Sequence, residues 1–138
     1  MVKYFLSTHG RLASGFKNAA EVLLGSIDNL TVFDAYVDEN SVGGALDSFF
    51  KSISASDTII LLADIVGGSV CNTMIPYSLR PNTYLIGGIN LATLLELLIL
   101  EEISDSDLEE IIDIGKSGVQ LIKILEDERS TDDSDDFF

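Results

Sequence analysis

The sequence predicts a single α/β domain: an open, mostly parallel sheet with helices on both faces, strands in the order 2-1-3-4, and room for an added antiparallel edge strand. Three observations predict it. Short apolar and β-branched runs alternate with stretches whose apolar residues recur every three or four positions. The runs Lys3 to Ser7 and Thr58 to Ala63 are apolar almost throughout, as strands covered on both faces must be. Glycine-containing turns follow three of the strands, at Gly10, at Gly67-Gly68 and at Gly87-Gly88.

Lys3 to Ser7 is the first strand, and His9, the only histidine, stands where it ends. Between Arg11 and Leu24, Leu12, Phe16, Ala19, Ala20, Leu23 and Leu24 fall on one helical face that Gly25 stops. Thr31 to Tyr36 is the second strand, and Ser41 or a neighbouring glycine opens a helix through Leu46, Phe49, Phe50 and Ile53. TIILLA at Thr58 to Ala63 is the most buried strand; Asp64 and Gly67-Gly68-Ser69 follow, then a helix from Val70 to Leu79. In that helix Cys71 reads as a small buried hydrophobe, and Met74 and Tyr77 as packing residues. The fourth strand is Thr83 to Ile86, followed by a Gly87-Gly88-Ile89-Asn90 turn and an apolar helix from Leu91 to Leu100. Ile99 to Ile103 is where a short edge strand would fit. Ser104 to Asp107 caps a last helix, whose apolar positions Leu108, Ile111, Ile112, Ile114, Val119, Leu121, Ile122 and Leu125 are expected to cover one sheet face, with Gly115 and Gly118 weakening its middle. The domain is expected to occupy residues 1–125, and 126–138 to be an acidic, disordered tail.

The charge of -15 is uneven: residues 1–95 carry eight acids and five bases, residues 96–138 fifteen and three. Such a balance excludes the basic footprint of nucleic-acid binding and disfavours anionic membranes. No apolar run approaches the roughly 18 residues that span a bilayer, and the start MVKYFL leads into STHGR without a secretory cleavage site. A single cysteine forms no internal disulfide. A cytoplasmic protein without membrane insertion is expected.

In open parallel sheets, chemistry gathers beyond the carboxyl ends of the strands. Three loops end there: Ser7-Thr8-His9-Gly10, Asp64 with Gly67-Gly68-Ser69, and Gly87-Gly88-Ile89-Asn90. If the first and third strands are neighbours, the Asp64 carboxylate can hydrogen-bond one ring nitrogen of His9 and leave the other as a nucleophile. The Gly-Gly-Ser turn before a helix offers N–H groups and a hydroxyl to a phosphate. Neither a dinucleotide fingerprint nor a P-loop occurs. A histidine phosphatase is excluded because Thr8 replaces arginine and no second histidine exists; a receiver domain is excluded for want of its acidic pair and late lysine.

With STHG after strand one, LADIVGGSV after strand three and GGINLATLLELL after strand four, the chain resembles the enzyme IIA component of the mannose-type (mannose, fructose, sorbose) sugar phosphotransferase system. The family's THG, D-x-x-G-G-S-P and G-x-N-x-P/A loops are matched at Thr8-His9-Gly10, at Asp64-Gly67-Gly68-Ser69 and at Gly88-Asn90-Ala92. The resemblance implies that His9 takes a phosphoryl group from the phosphohistidine of the carrier HPr and passes it to a separate IIB protein, which serves a IIC/IID membrane pair. Asp64 would hold the inner ring nitrogen and leave Nε2 free. Thr8, Gly10, Gly67, Gly68 and Ser69 would surround the phosphoryl group, Asn90 would lie on a further site loop, and neither metal nor cofactor would be needed. A homodimer is also implied, in some members with an exchanged strand. Val70 replaces the motif's proline, and Ile65-Val66 stand where an aromatic is common. The alternatives are the phosphotransfer subunit of dihydroxyacetone kinase, which usually lacks the D-x-x-G-G-S loop, and a non-catalytic regulatory module on the same fold.

Overall fold

The computed structural model describes residues 1–125; the acidic tail expected at 126–138 lies outside them. The elements run β1 (Val2–His9), α1 (Leu12–Leu24), β2 (Leu30–Ala35), α2 (Val42–Lys51), β3 (Thr58–Ala63), α3 (Ser69–Met74), β4 (Thr83–Gly87), α4 (Leu91–Leu98) and α5 (Asp105–Ser117). Four parallel strands form one sheet in the order β2-β1-β3-β4. Strand β1, the first made, is therefore central, between β2 and β3. Its register sets Ser7 opposite Ala63 and His9 opposite Ala35, so the chain leaves β1, β2 and β3 at one edge.

Both sheet faces are covered, as the apolar strands require. Tyr4 and Leu6 point to one side with Ile60 and Leu62, under Ala13 and Ala20 of α1, Leu94 and Leu97 of α4, and Leu108 and Ile111 of α5. Phe5, Leu61 and Ala63 face the other side, against Leu46 and Phe49 of α2 and Val70, Cys71 and Met74 of α3. Each fully buried leucine or isoleucine among them contributes about 1.5–3 kcal/mol over its exposed state. Ser41 caps α2 by accepting from the Gly44 N–H, and Ser104 with Asp107 forms a capping box on α5.

The structure departs from the expected elements in three places. Helix α3 gives way at Ile75 to a tighter 3₁₀ segment, Ile75–Leu79. Pro76 lacks an N–H and its ring crowds the carbonyl four residues back, so the α-helix cannot continue. Ile99 to Ile103 forms no edge strand; α4 ends at Leu98, and a turn leads directly into α5. Last, α5 ends at Ser117, with Gly118 as its C-cap, and Val119, Leu121, Ile122 and Leu125 are exposed instead of covering the sheet. Helical spacing persists past Gly118, but the helix does not.

Gly115 does not simply weaken α5. A Cβ there would collide with the Thr93 hydroxyl, so the glycine lets α5 close onto α4. Asn90 fastens the same junction: its Oδ1 accepts from the Thr93 N–H (2.9 Å) and hydroxyl (2.6 Å), and its amide donates to the Gly115 carbonyl (2.8 Å). Gly115→Ala is expected to destabilise the fold by about 1–3 kcal/mol through overpacking, although alanine favours an isolated helix by about 1 kcal/mol. Urea unfolding measures the balance; a midpoint at or above wild type would mean that Thr93 yields freely.

Candidate active site

His9 is the last residue of β1 and Asp64 follows the last residue of β3. Because these strands are paired in parallel, their side chains meet. Asp64 Oδ2 accepts two hydrogen bonds from His9, one from the backbone N–H and one from ring Nδ1, both 2.9 Å. An ionised carboxylate only accepts, so Nδ1 carries a proton and neutral His9 presents a lone pair at Nε2. The Asp64 side chain is 9% exposed and that of His9 44%, so the orienting group is buried while the ring stays reachable.

Burial pushes the Asp64 carboxyl up, but the hydrogen bonds donated by the His9 backbone N–H and ring N–H oppose it, and the balance holds the carboxyl below its ordinary value. A group lowered in this way contributes stability that is complete above the unfolded-chain value and is lost as pH falls through the lower folded one. Between about pH 5 and pH 3 the urea midpoint of wild type is expected to fall further than that of Asp64→Asn. Parallel declines would mean that folding leaves this carboxylate unfavoured.

The other loop residues divide by what their polar atoms already touch. Ser69 opens α3, and its hydroxyl lies 3.4 Å from His9 Nε2. Gly68 caps α3 beside the ring, its Cβ position 3.7 Å from His9 Cε1, and Gly67 takes φ 79° in the turn before it. The Gly68 N–H is used in that turn, donating to Ile65 O. Thr8 is fully buried, and its Oγ1 accepts from the Ala13 N–H at 2.6 Å in the first turn of α1. Gly10 donates its N–H to Ala35 O and turns the chain at φ 62°. Asn90 is occupied at the α4–α5 junction, and none of its hydrogen bonds reaches the His9 loop.

Two residues of the site escaped the sequence reading. Asp34 accepts from the N–H (2.9 Å) and hydroxyl (2.7 Å) of Ser14, fixing the first turn of α1 beside Thr8. Tyr36 stacks on the His9 ring with centroids 5.3 Å apart, and its hydroxyl lies 2.7 Å from Ser69 Oγ. The available signal was positional: β2 neighbours β1, so its last residues must emerge beside His9.

A surface histidine with a buried carboxylate on one ring nitrogen and a hydroxyl near the other suits transfer of a group through the free nitrogen. The family model of the PTS system fructose IIA component, EIIA-man, matches residues 3–116. The chain belongs to this family. Solved structures agree in fold. A Klebsiella pneumoniae protein, provisionally described as a phosphoenolpyruvate-dependent sugar phosphotransferase system permease, is 28% identical with a TM-score of 0.80, over 87% of this chain and 90% of that one. The mannose/sorbose-specific IIA subunit of Enterococcus faecalis is 24% identical (TM-score 0.77, 89% and 96% covered). The IIA protein associated with the fucose utilization operon of Streptococcus pneumoniae is 23% identical (TM-score 0.76, 87% and 92% covered). No curated protein matches the chain. As an EIIA-man family member the chain is a component of the sugar phosphotransferase system. No helix among its described residues is long and apolar enough to cross a membrane.

Proposed function

We propose that the chain is a cytoplasmic phosphocarrier in which His9 Nε2 accepts a phosphoryl group from phospho-HPr and donates it to a separate IIB protein. IIB would in turn serve the IIC and IID membrane components. The observation that carries this reading is the double acceptance by Asp64 Oδ2 from His9, which fixes the tautomer and the ring together. Nucleophilic Nε2 attacks phosphorus as the donor's N–P bond breaks, and the donor imidazole leaves with that electron pair. The proton stays on His9 Nδ1 throughout, donated to Asp64 Oδ2.

Phosphoryl transfer asks mainly for positioning and for stabilisation of charge on the equatorial oxygens. Ser69 Oγ and the unpaired N–H groups of the first turn of α3 supply that stabilisation, and Gly67 and Gly68 shape the turn that brings them to His9. Thr8 and Gly10 act indirectly by setting the start of α1. Exposed Leu12, at the start of α1, and Tyr36, Ile65 and Val66, on the loops that carry the site, suit a protein donor better than a small molecule. A homodimer belongs to the same reading, supported by the exposed apolar residues Val119, Leu121, Ile122 and Leu125.

Incubation with phosphoenolpyruvate, enzyme I and HPr tests the reading. The chain is expected to take up label that is acid-labile and base-stable, as an N-phosphoryl bond is. A folded chain that stays unlabelled under those conditions would end the proposal.

A further inference from the structure

Tyr36 has no role in the chemistry described so far, yet it touches two groups that do. The chain leaves β2 at Ala35, the register partner of His9. Tyr36 then adopts φ 65°, a left-handed conformation that bulky residues rarely take. This bend sets its ring on the face of the imidazole, with centroids 5.3 Å apart and planes 24° from parallel. Its hydroxyl reaches Ser69 Oγ at 2.7 Å, and Ser69 Oγ lies 3.4 Å from Nε2. The side chain is no core residue: Tyr36 is 66% exposed. An unfavourable backbone conformation at the surface, with the side chain set against His9 and Ser69, points to a task at that site.

We propose that Tyr36 is a positioning residue for phosphoryl transfer at His9, a role that rests on His9 being the phosphoryl acceptor. Asp64 anchors the Nδ1 edge of the ring, but one anchored edge still allows rocking about the Cβ–Cγ bond. Stacking against one face limits that motion and holds Nε2 in line with the incoming phosphorus. The hydroxyl acts through Ser69. By donating to Ser69 Oγ, Tyr36 leaves the Ser69 proton directed at the Nε2 lone pair before transfer, and at a phosphoryl oxygen once the Nε2–P bond has formed. No bond within Tyr36 is made or broken, and its proton stays on the phenol.

The test measures transfer from phospho-HPr to the full-length chain by rapid quench over a range of phospho-HPr concentrations, for wild type, Tyr36→Phe and Tyr36→Asn. Phenylalanine keeps the stack and removes the hydroxyl. Asparagine removes both while tolerating the left-handed backbone. Tyr36→Phe is expected to lower the maximal rate about three- to tenfold with KM unchanged, and Tyr36→Asn to lower it further, by about 10- to 100-fold. The ³¹P resonance of phosphorylated His9 is expected to shift in Tyr36→Phe, because Ser69 is no longer held toward the phosphoryl group. Two results overturn the proposal while leaving the phosphocarrier reading intact: both variants accepting phosphoryl at the wild-type rate, or a change confined to KM, which would make Tyr36 a docking residue. A wild type that takes no phosphoryl group defeats both, and it is seen before any variant is compared.

Discussion

Replacement of His9 by alanine is expected to abolish phosphoryl uptake from phospho-HPr, with labelling reduced to background. The size of the effect follows from composition as much as geometry. The chain has no second histidine to take over, and Ser69 and Tyr36, the hydroxyls nearest the ring, have no base other than His9 within the observed hydrogen bonds. His9 contributes little to the core, since its ring is 44% exposed and makes its one strong side-chain hydrogen bond to Asp64. The variant is therefore expected to fold, and its circular dichroism spectrum and urea midpoint provide the control. A folded His9→Ala protein that still takes acid-labile label would move the acceptor to another residue and remove the central element of the proposed function.

Asp64→Asn is expected to slow transfer about 10- to 100-fold, the cost of replacing hydrogen bonds to a charged acceptor by weaker neutral ones. Asparagine preserves size, and its carbonyl oxygen still accepts from the His9 backbone N–H. What it loses is the charge that favours the Nδ1–H tautomer and compensates the positive character of the ring as Nε2 bonds to phosphorus. An amide can also present its NH₂ to Nδ1, which would place the imidazole proton on Nε2 and block the nucleophile. Rapid-quench measurement at saturating phospho-HPr separates this effect from docking: the maximal rate falls and KM holds. A wild-type rate in Asp64→Asn would reduce Asp64 to a turn residue tying β3 to β1, with no part in the chemistry.

These two residues also show how much of the site was legible in the chain. Ser7-Thr8-His9-Gly10 and Asp64 with Gly67-Gly68-Ser69 stand out because apolar strands end abruptly in residues that strands seldom contain. That local contrast survives in any fold that buries the strands. Their meeting depends on β1 pairing with β3 across an intervening strand and two helices. A parallel sheet with right-handed crossovers favours such an order without dictating it. Thr8 was legible as a site residue but not in its part: nothing in Thr-His-Gly says that the hydroxyl turns inward to the Ala13 N–H. Tyr36 was unreadable for a different reason. Its ring reaches His9 only through a positive φ, a conformation that the residue type argues against and the surrounding contacts impose.

By itself, then, the sequence determined the alternation of strands and helices, the burial of β1 and β3, the positions at which the strands stop and the chemical groups found there. Each is a property of spacing and residue type within a few positions. The tertiary structure decided what no short window contains. It made Asp64 the partner of His9 and brought Tyr36 over the ring; it turned Gly115 into the contact that seats α5 on α4, and it ended α5 at Ser117 despite apolar spacing that continues to Leu125. The physical reason is common to all four. Hydrophobic periodicity states which face a segment must bury, whereas hydrogen-bond partners, close approaches and the end of a helix depend on which other segment arrives to meet that face.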